Sequence, residues 1–148
     1  DRFEDIVRVT KARVRRSEAI IGVYTLRHLK KSGRISGASA FVGEALGLKP
    51  IMHACDGAVN VVEKARGEKN LIPKVMDQVK KRVVRPETQI AYLAHASLPA
   101  QKLDEIEAAI RAIGFADVKR STIGVSVTSN LGPASFAVMY YGEQRPVD

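Results

Sequence analysis

Asp56-Gly57 lies between two runs of strand-forming residues, Ile51 to Cys55 and Ala58 to Glu63. Both central residues of a type I′ turn need positive φ, which glycine adopts freely and aspartate tolerates. The dipeptide therefore predicts a β-hairpin in the first half of the chain. Glycine also punctuates the rest of the sequence. Gly33, Gly47 and Gly114 each follow a segment of helical character, where a left-handed C′ residue belongs.

Between those stops the hydrophobic spacing assigns elements. Phe3, Ile6, Val7, Thr10 and Val14 recur at helical spacing and predict a helix from about Phe3 to Arg15. Ala19 to Val23 reads as a buried strand. Thr25 caps a second helix, Leu26 to Lys31, and a third fits Ala38 to Leu46. After Gly67, the residues Leu71, Ile72, Val75, Met76, Val79 and Val83 predict a helix. Asn70 is its expected N-cap, and Pro73 falls harmlessly in the first turn. Glu87 to His95 is expected as a strand. Ser97 is expected to cap a helix whose face carries Leu103, Ile106, Ile110 and Ile113. Ala116 to Ile123 and Ser135 to Tyr141 are the last strands, joined by a loop, Thr128 to Pro133. The order predicts an α+β fold, a two-layer α/β sandwich. Helices cover one face of a mixed sheet and leave the other for a partner domain. No repeat, low-complexity stretch or long linker divides residues 1–148, so they read as a single domain.

Composition narrows the class. No apolar run reaches the length of a membrane span. Cys55 is the only cysteine, which fits a reducing, cytoplasmic setting. The sequence opens on Asp1 rather than Met, as expected of a fragment whose own N-terminus lies upstream. A net charge of +8 permits nucleic acid, an anionic membrane or an acidic protein as partner. Much of it comes from Arg8, Lys11, Arg13, Arg15 and Arg16, and from Lys80, Lys81, Arg82 and Arg85. Cations near helix C-termini also suit the macrodipole as plain solvated faces. The four tyrosines and four phenylalanines form no basic-aromatic motif of the kind that stacks bases.

Familiar catalytic arrangements do not appear. His28, His53 and His95 are far apart, without the i, i+4 spacing of a zinc helix. There is no phosphate loop, no dinucleotide turn and no nucleophile elbow. No cofactor or metal is expected. Cys55 reads as a hairpin residue, and His95 as a structural histidine at a strand end. Two loops remain. Gly33 to Gly37 brackets Arg34 and Ser36 with glycines, so the backbone can approach a ligand and Arg34 can clamp a carboxylate or phosphate. The same residues also fit a helix stop with its arginine in solvent. Ser129 to Pro133 offers a hydroxyl, the Asn130 amide and the Gly132-Pro133 turn, or simply a turn.

Taken together, these segments resemble the DegV family of bacterial fatty-acid-binding proteins. Leu26 to Gly37 is similar to the family's Leu-x-x-Leu-x-x-x-Gly-Arg-Ile-Ser segment. Lys49-Pro50-Ile51, Asp56-Gly57 and Lys64-Ala65-Arg66-Gly67 follow in the family's order. Ser129 to Gly142 resembles its closing Thr-His-x-Gly-Pro-Gly segment and the aromatic strand after it. The resemblance implies the C-terminal half of a two-domain, non-enzymatic protein with a long-chain fatty acid buried between the halves. The missing N-terminal domain would hold the carboxylate with Ser/Thr groups. In some bacteria a separate kinase then converts the presented fatty acid to an acyl-phosphate. Arg34, Ser36, Ser129, Asn130 and Gly132 would lie near the head group. Ile35, Phe41, Ile51, Phe136 and Val138 are candidates for the tail walls. Asn130 stands where histidine is usual, and Ala134 where glycine is usual; an amide donates a hydrogen bond but carries no charge. Two alternatives stay open: a basic nucleic-acid-binding module, and a subunit of a phosphotransferase related to dihydroxyacetone kinases.

Overall fold

The computed structural model describes residues 2–32 and 47–146. Its elements run α1 (Arg2–Val14), β1 (Ser17–Val23), α2 (Arg27–Ser32), β2 (Leu48–Cys55), β3 (Ala58–Arg66), α3 (Leu71–Lys80), β4 (Ile90–Ala96), α4 (Ala100–Arg111), β5 (Asp117–Thr122), α5 (Val125–Leu131) and β6 (Ser135–Tyr141). The helix expected over Ala38 to Leu46 lies outside the described residues. The six strands form one sheet in the order β3-β2-β1-β6-β4-β5. Only β4 and β5 run parallel, joined through α4, so the sheet is mixed as the sequence predicts.

The Asp56-Gly57 hairpin forms, with φ of 48° and 75° at its two turn residues. Cys55 and Ala58 pair across it. Alternation along the strands then divides the core in two. Ile20, Ile51, Leu93, Phe136 and Val138 face α3 and α4, which contribute Leu71, Val75, Val79, Ile106 and Ile110. Gly22 belongs to the same face: a Cβ there would meet the Phe136 ring at 2.7 Å and Val75 at 3.1 Å. On the reverse face Ile21, Val23, Met52, Ala94 and Ala137 pack with Leu26 and Leu29 of α2 and Leu131 of α5. These two short helices cover one end of that face only.

Several boundaries differ from the sequence reading. Asn70 does not cap α3. Its backbone is helical at the end of a 3-10 turn, and its side chain donates to the Arg66 carbonyl at 2.6 Å. Ser97 does not cap α4 either, because it takes a left-handed φ of 51° and Pro99 occupies the N-cap. The expected start of β4 is pre-empted by a 3-10 turn at Pro86–Thr88. The expected loop through Thr128 is instead the C-terminal part of α5, a helix that Gly124 opens.

Two polar clusters fasten the edges. Glu18 is almost fully buried and binds His53 on one side and Arg145 (2.9 Å) on the other. His53 Nδ1 lies 3.7 Å from Cys55 Sγ, and burial pushes the Cys55 thiol above its ordinary value. Glu63 of β3 accepts hydrogen bonds from Lys74 and from Gln78 (2.5 Å) of α3. Those bonds hold its carboxyl below the usual glutamate value. The ionised form is therefore favoured by folding. Its contribution is complete above the ordinary glutamate range and fades as pH falls through the lowered folded value. Glu63→Gln should cost about 0.5–1 kcal/mol at pH 7 by denaturant unfolding, and the difference from wild type should shrink on acidification. A difference that persists unchanged at low pH would contradict the ionic account.

Candidate functional site

The carboxyl ends of the parallel pair β4 and β5 lie side by side, with His95 opposite Thr122. Such ends are where open α/β sheets commonly place ligands, because the chain leaves the sheet there and opens a crevice. From β4 the chain exits through Ser97. From β5 it exits through Ile123 and Gly124 into α5, and returns through Gly132-Pro133-Ala134 to β6. Backbone bonds draw these exits together. The Ile123 amide donates to the His95 carbonyl at 2.9 Å, and the Ala134 amide to the Ala96 carbonyl at 2.9 Å. The Tyr24 amide donates to the Ala134 carbonyl at 3.1 Å, which brings in the start of α2.

The result is a cleft of about 490 Å³ whose lining includes His28, His95, Ser97, Thr122, Thr128 and Ser129. Its size is in the range of small-molecule pockets. The Nδ1 atoms of His28 and His95 are both buried and find no hydrogen-bond partner among the described residues. A buried imidazole nitrogen without a partner is costly, but these two atoms have almost no accessible surface and face protein rather than the open cleft, His28 Nδ1 lying against Gly132. Two of the hydroxyls are already engaged: Ser129 Oγ donates to the Ser126 carbonyl (2.9 Å) and Thr128 Oγ1 to the Ile123 carbonyl (3.2 Å). Among the described residues, the polar groups of the cleft left for a ligand are thus the His28 and His95 rings with the Ser97 and Thr122 hydroxyls.

Along the reverse face, beyond the reach of α2 and α5, a shallow apolar groove of about 260 Å³ follows Ala19, Ala54, Ile90, Tyr92, Met139 and Tyr141. Tyr92 and Tyr141 remain 44% and 38% exposed there, so this end of the sheet lacks a covering layer among the described residues.

The candidates read from sequence fall in three places. Arg34, Ile35, Ser36 and Phe41 lie outside the described residues. Ser129 and Asn130 sit on α5 rather than on a loop. Asn130 Nδ2 donates to the Ser126 carbonyl at 2.9 Å, a bond within the helix. Ser32, the last residue of α2, donates to the Asn130 carbonyl at 3.5 Å, which ties the end of α2 to α5. Gly132, with a φ of 88°, packs against His28: a Cβ would meet that side chain at 2.7–2.9 Å. Ile51, Phe136 and Val138 have no exposed surface and pack on the helix-covered face. Being of the wrong strand parity for the open face, they leave the groove to Met139 and Tyr141. The sequence reading did not bring His28 together with His95, since only the topology does so. Among the described residues no group of three or more His, Cys, Asp or Glu could hold a metal ion.

Comparison with known proteins now identifies the relatives. The family model described as "Uncharacterised protein, DegV family" matches residues 1–143. The chain belongs to the DegV family. A DegV domain-containing protein of Streptococcus pneumoniae is 30% identical over 142 residues, 95% of this chain and 50% of that protein. A fatty acid binding DegV family protein of Streptococcus agalactiae superposes with a TM-score of 0.78 at 26% identity, covering 95% of this chain and 50% of that one. A DegV family protein of Ruminococcus gnavus, solved with vaccenic acid, gives a TM-score of 0.80 at 23% identity over 93% and 49%. The chain thus spans about half the length of these DegV relatives.

The DegV-like closing turn yields a paired prediction. Ala134 holds a left-handed φ of 57°, a conformation that disfavours any Cβ. Ala134→Gly should raise stability by about 1 kcal/mol. Gly132→Ala should lower it by about 1–3 kcal/mol, because the methyl meets His28 and the backbone is left-handed. Equilibrium unfolding of both variants checks the signs.

Proposed function

We propose that this chain is the C-terminal half of a two-domain, cytoplasmic protein that binds a long-chain fatty acid and catalyses no reaction itself. The observation that carries the reading is the presence on one domain of a polar cleft at one end of the sheet, lined by His28 and His95, and of an uncovered apolar sheet face toward the other end. An amphiphile with an oxygen-rich head and a long tail suits both. The fatty acids bound by the Streptococcus agalactiae and Ruminococcus gnavus relatives support the ligand class.

In this reading the carboxylate is held by His28 and His95 from the cleft. Arg34 and Ser36 join from the segment that follows Ser32. Ser129, Asn130 and Gly132 shape the wall behind them, as α5 and its closing turn position His28. The tail lies along Ala19, Ala54, Tyr92, Met139 and Tyr141, with Ile35 and Phe41 as further walls. Burying an acyl chain is worth about 0.8 kcal/mol per methylene, on the order of 10 kcal/mol gross for a long chain. Ordering costs reduce that heavily. The tail therefore sets affinity, while the buried carboxylate needs its hydrogen bonds to be tolerated at all. A head group held at the end of the sheet suits presentation to a separate kinase, which would form the acyl-phosphate.

Mass spectrometry of lipids released from the full-length protein should find a long-chain fatty acid; its absence, with a control protein releasing one, would overturn the reading. His28→Ala should weaken fluorescent fatty-acid binding by about 10-fold, the equivalent of one charged hydrogen bond. Tyr92→Asp should weaken it further, by placing a charge against the tail. Residues 1–148 alone should bind weakly or not at all, since half of the tail's surroundings would be water. Micromolar or tighter binding by this isolated chain would refute that part.

A further inference from the structure

α1 stands apart from the rest of the fold. None of its thirteen residues is buried. Ile6, Val9 and Val14 are 56%, 41% and 59% exposed. Two bonds fasten its C-terminal end: Ser17 Oγ donates to the Arg13 carbonyl, and Arg145 Nη2 to the Val14 carbonyl, each at 3.1 Å. Yet the sequence is patterned for contact. Ile6, Val7, Thr10 and Val14 form one stripe at helical spacing, and the opposite face is charged. A helix of this length is marginal in water without packing on that stripe.

Three occupants could cover it. A second copy of α1 is disfavoured by charge, because Arg2, Arg8, Lys11, Arg13, Arg15 and Arg16 face only Glu4 and Asp5 within the segment. Two such helices side by side would repel. A bilayer would also accept a basic amphipathic helix, but Gln144 from the far end of the chain lines one side of α1 together with Phe3, Val7 and Arg15, so protein already flanks the stripe. A protein surface is also what the relatives offer, since this chain matches about half the length of the Streptococcus pneumoniae protein.

We infer that the apolar stripe of α1 docks on the half of the longer DegV polypeptide that this chain does not span. The receiving surface is an apolar ridge rimmed by carboxylates, which complement the α1 cations. Being in the same polypeptide, it meets α1 at an effective concentration in the millimolar range, so modest contacts suffice. The inference rests on the two-domain reading above but not on the fatty acid, and its test uses no lipid.

Hydrogen exchange provides that test. In the 148-residue chain the α1 amides should exchange within about 10-fold of an unstructured peptide; in the full-length protein they should be slowed by at least about 100-fold more. Ile6→Asp in the full-length protein should return α1 to the fast rate while β1 and β6 stay protected. The same substitution in the 148-residue chain should leave its melting unchanged, which separates lost docking from misfolding. Equal exchange of α1 in both proteins would overturn the inference. So would α1 protection in the short chain that grows with its concentration, or that appears only with vesicles of anionic phospholipid. A full-length protein that docks α1 yet releases no fatty acid would sink the ligand reading and leave this one standing.

Discussion

The antiparallel pairing of β1 with β6 decides what every other element can do. It runs from Ser17 opposite Tyr141 to Val23 opposite Ser135, at the middle of the sheet. Its register sends Ile20, Phe136, Val138 and Tyr140 toward α3 and α4, and Ala19, Ile21, Ala137 and Met139 to the reverse face. A slip of one residue would exchange the two sets and turn Phe136 out of the core. Gly22 fixes the choice. The Phe136 ring fills the space where a Cβ would stand, so only the observed register pairs the largest side chain with the missing one.

From that register the site follows. Chain reversals at one end of the sheet use left-handed residues: Ser97 at 51°, Gly132 at 88° and Ala134 at 57°. Two of these carry a Cβ and are strained, which the backbone bonds between Ala134, Ala96 and Tyr24 hold in place. Strand ends expose polar groups, whereas the strand face exposes only side chains. One sheet therefore presents a hydrogen-bonding cleft at its rim and an apolar surface along its length. Such a surface is chemically suited to an amphiphile, through where water is excluded and where it is not.

How far this was legible in the sequence depends on how local each signal is. The Asp56-Gly57 hairpin, α3, α4 and the Gly114 stop were readable because turn chemistry and helical spacing act within a few residues. Helix α5 was not. Val-Ser-Val-Thr-Ser-Asn-Leu combines β-branched residues with hydroxyls and an amide that favour turns, and tertiary packing of Leu131 overrides that preference. The inward face of β6 was also hidden. In Ser-Phe-Ala-Val-Met-Tyr-Tyr both parities are apolar, so Phe136 and Met139 could not be told apart as core and groove. His28 and His95 carry no shared motif; only the sheet order joins them. Arg34, Ser36, Ile35 and Phe41 lie outside the described residues, so for them the glycine-bracketed sequence and the family resemblance remain the argument.

The excess positive charge now has an address. On the α4–β5 edge, Arg120 binds Asp104 and Glu107, and Arg111 binds Glu107 and Asp117. Hydrogen bonds from Arg111 and Arg120 hold Glu107 below its ordinary value, and the Val118 amide followed by Arg111 does the same for Asp117. Arg145 is shared by Glu18 and Asp56. Arg82 donates to the carbonyl and side chain of Gln78. The exposed pairs on the α4–β5 edge add little stability, but they cancel part of the field that a polyanion would sense. Among the described residues, cations outside these ion pairs include Lys11 and Arg13 of α1, and Lys80, Lys81 and Arg85 at the end of α3. On α1 the cations and the exposed apolar residues occupy the same thirteen-residue helix, so this part of the positive charge is better understood as one side of an interface than as a nucleic-acid footprint.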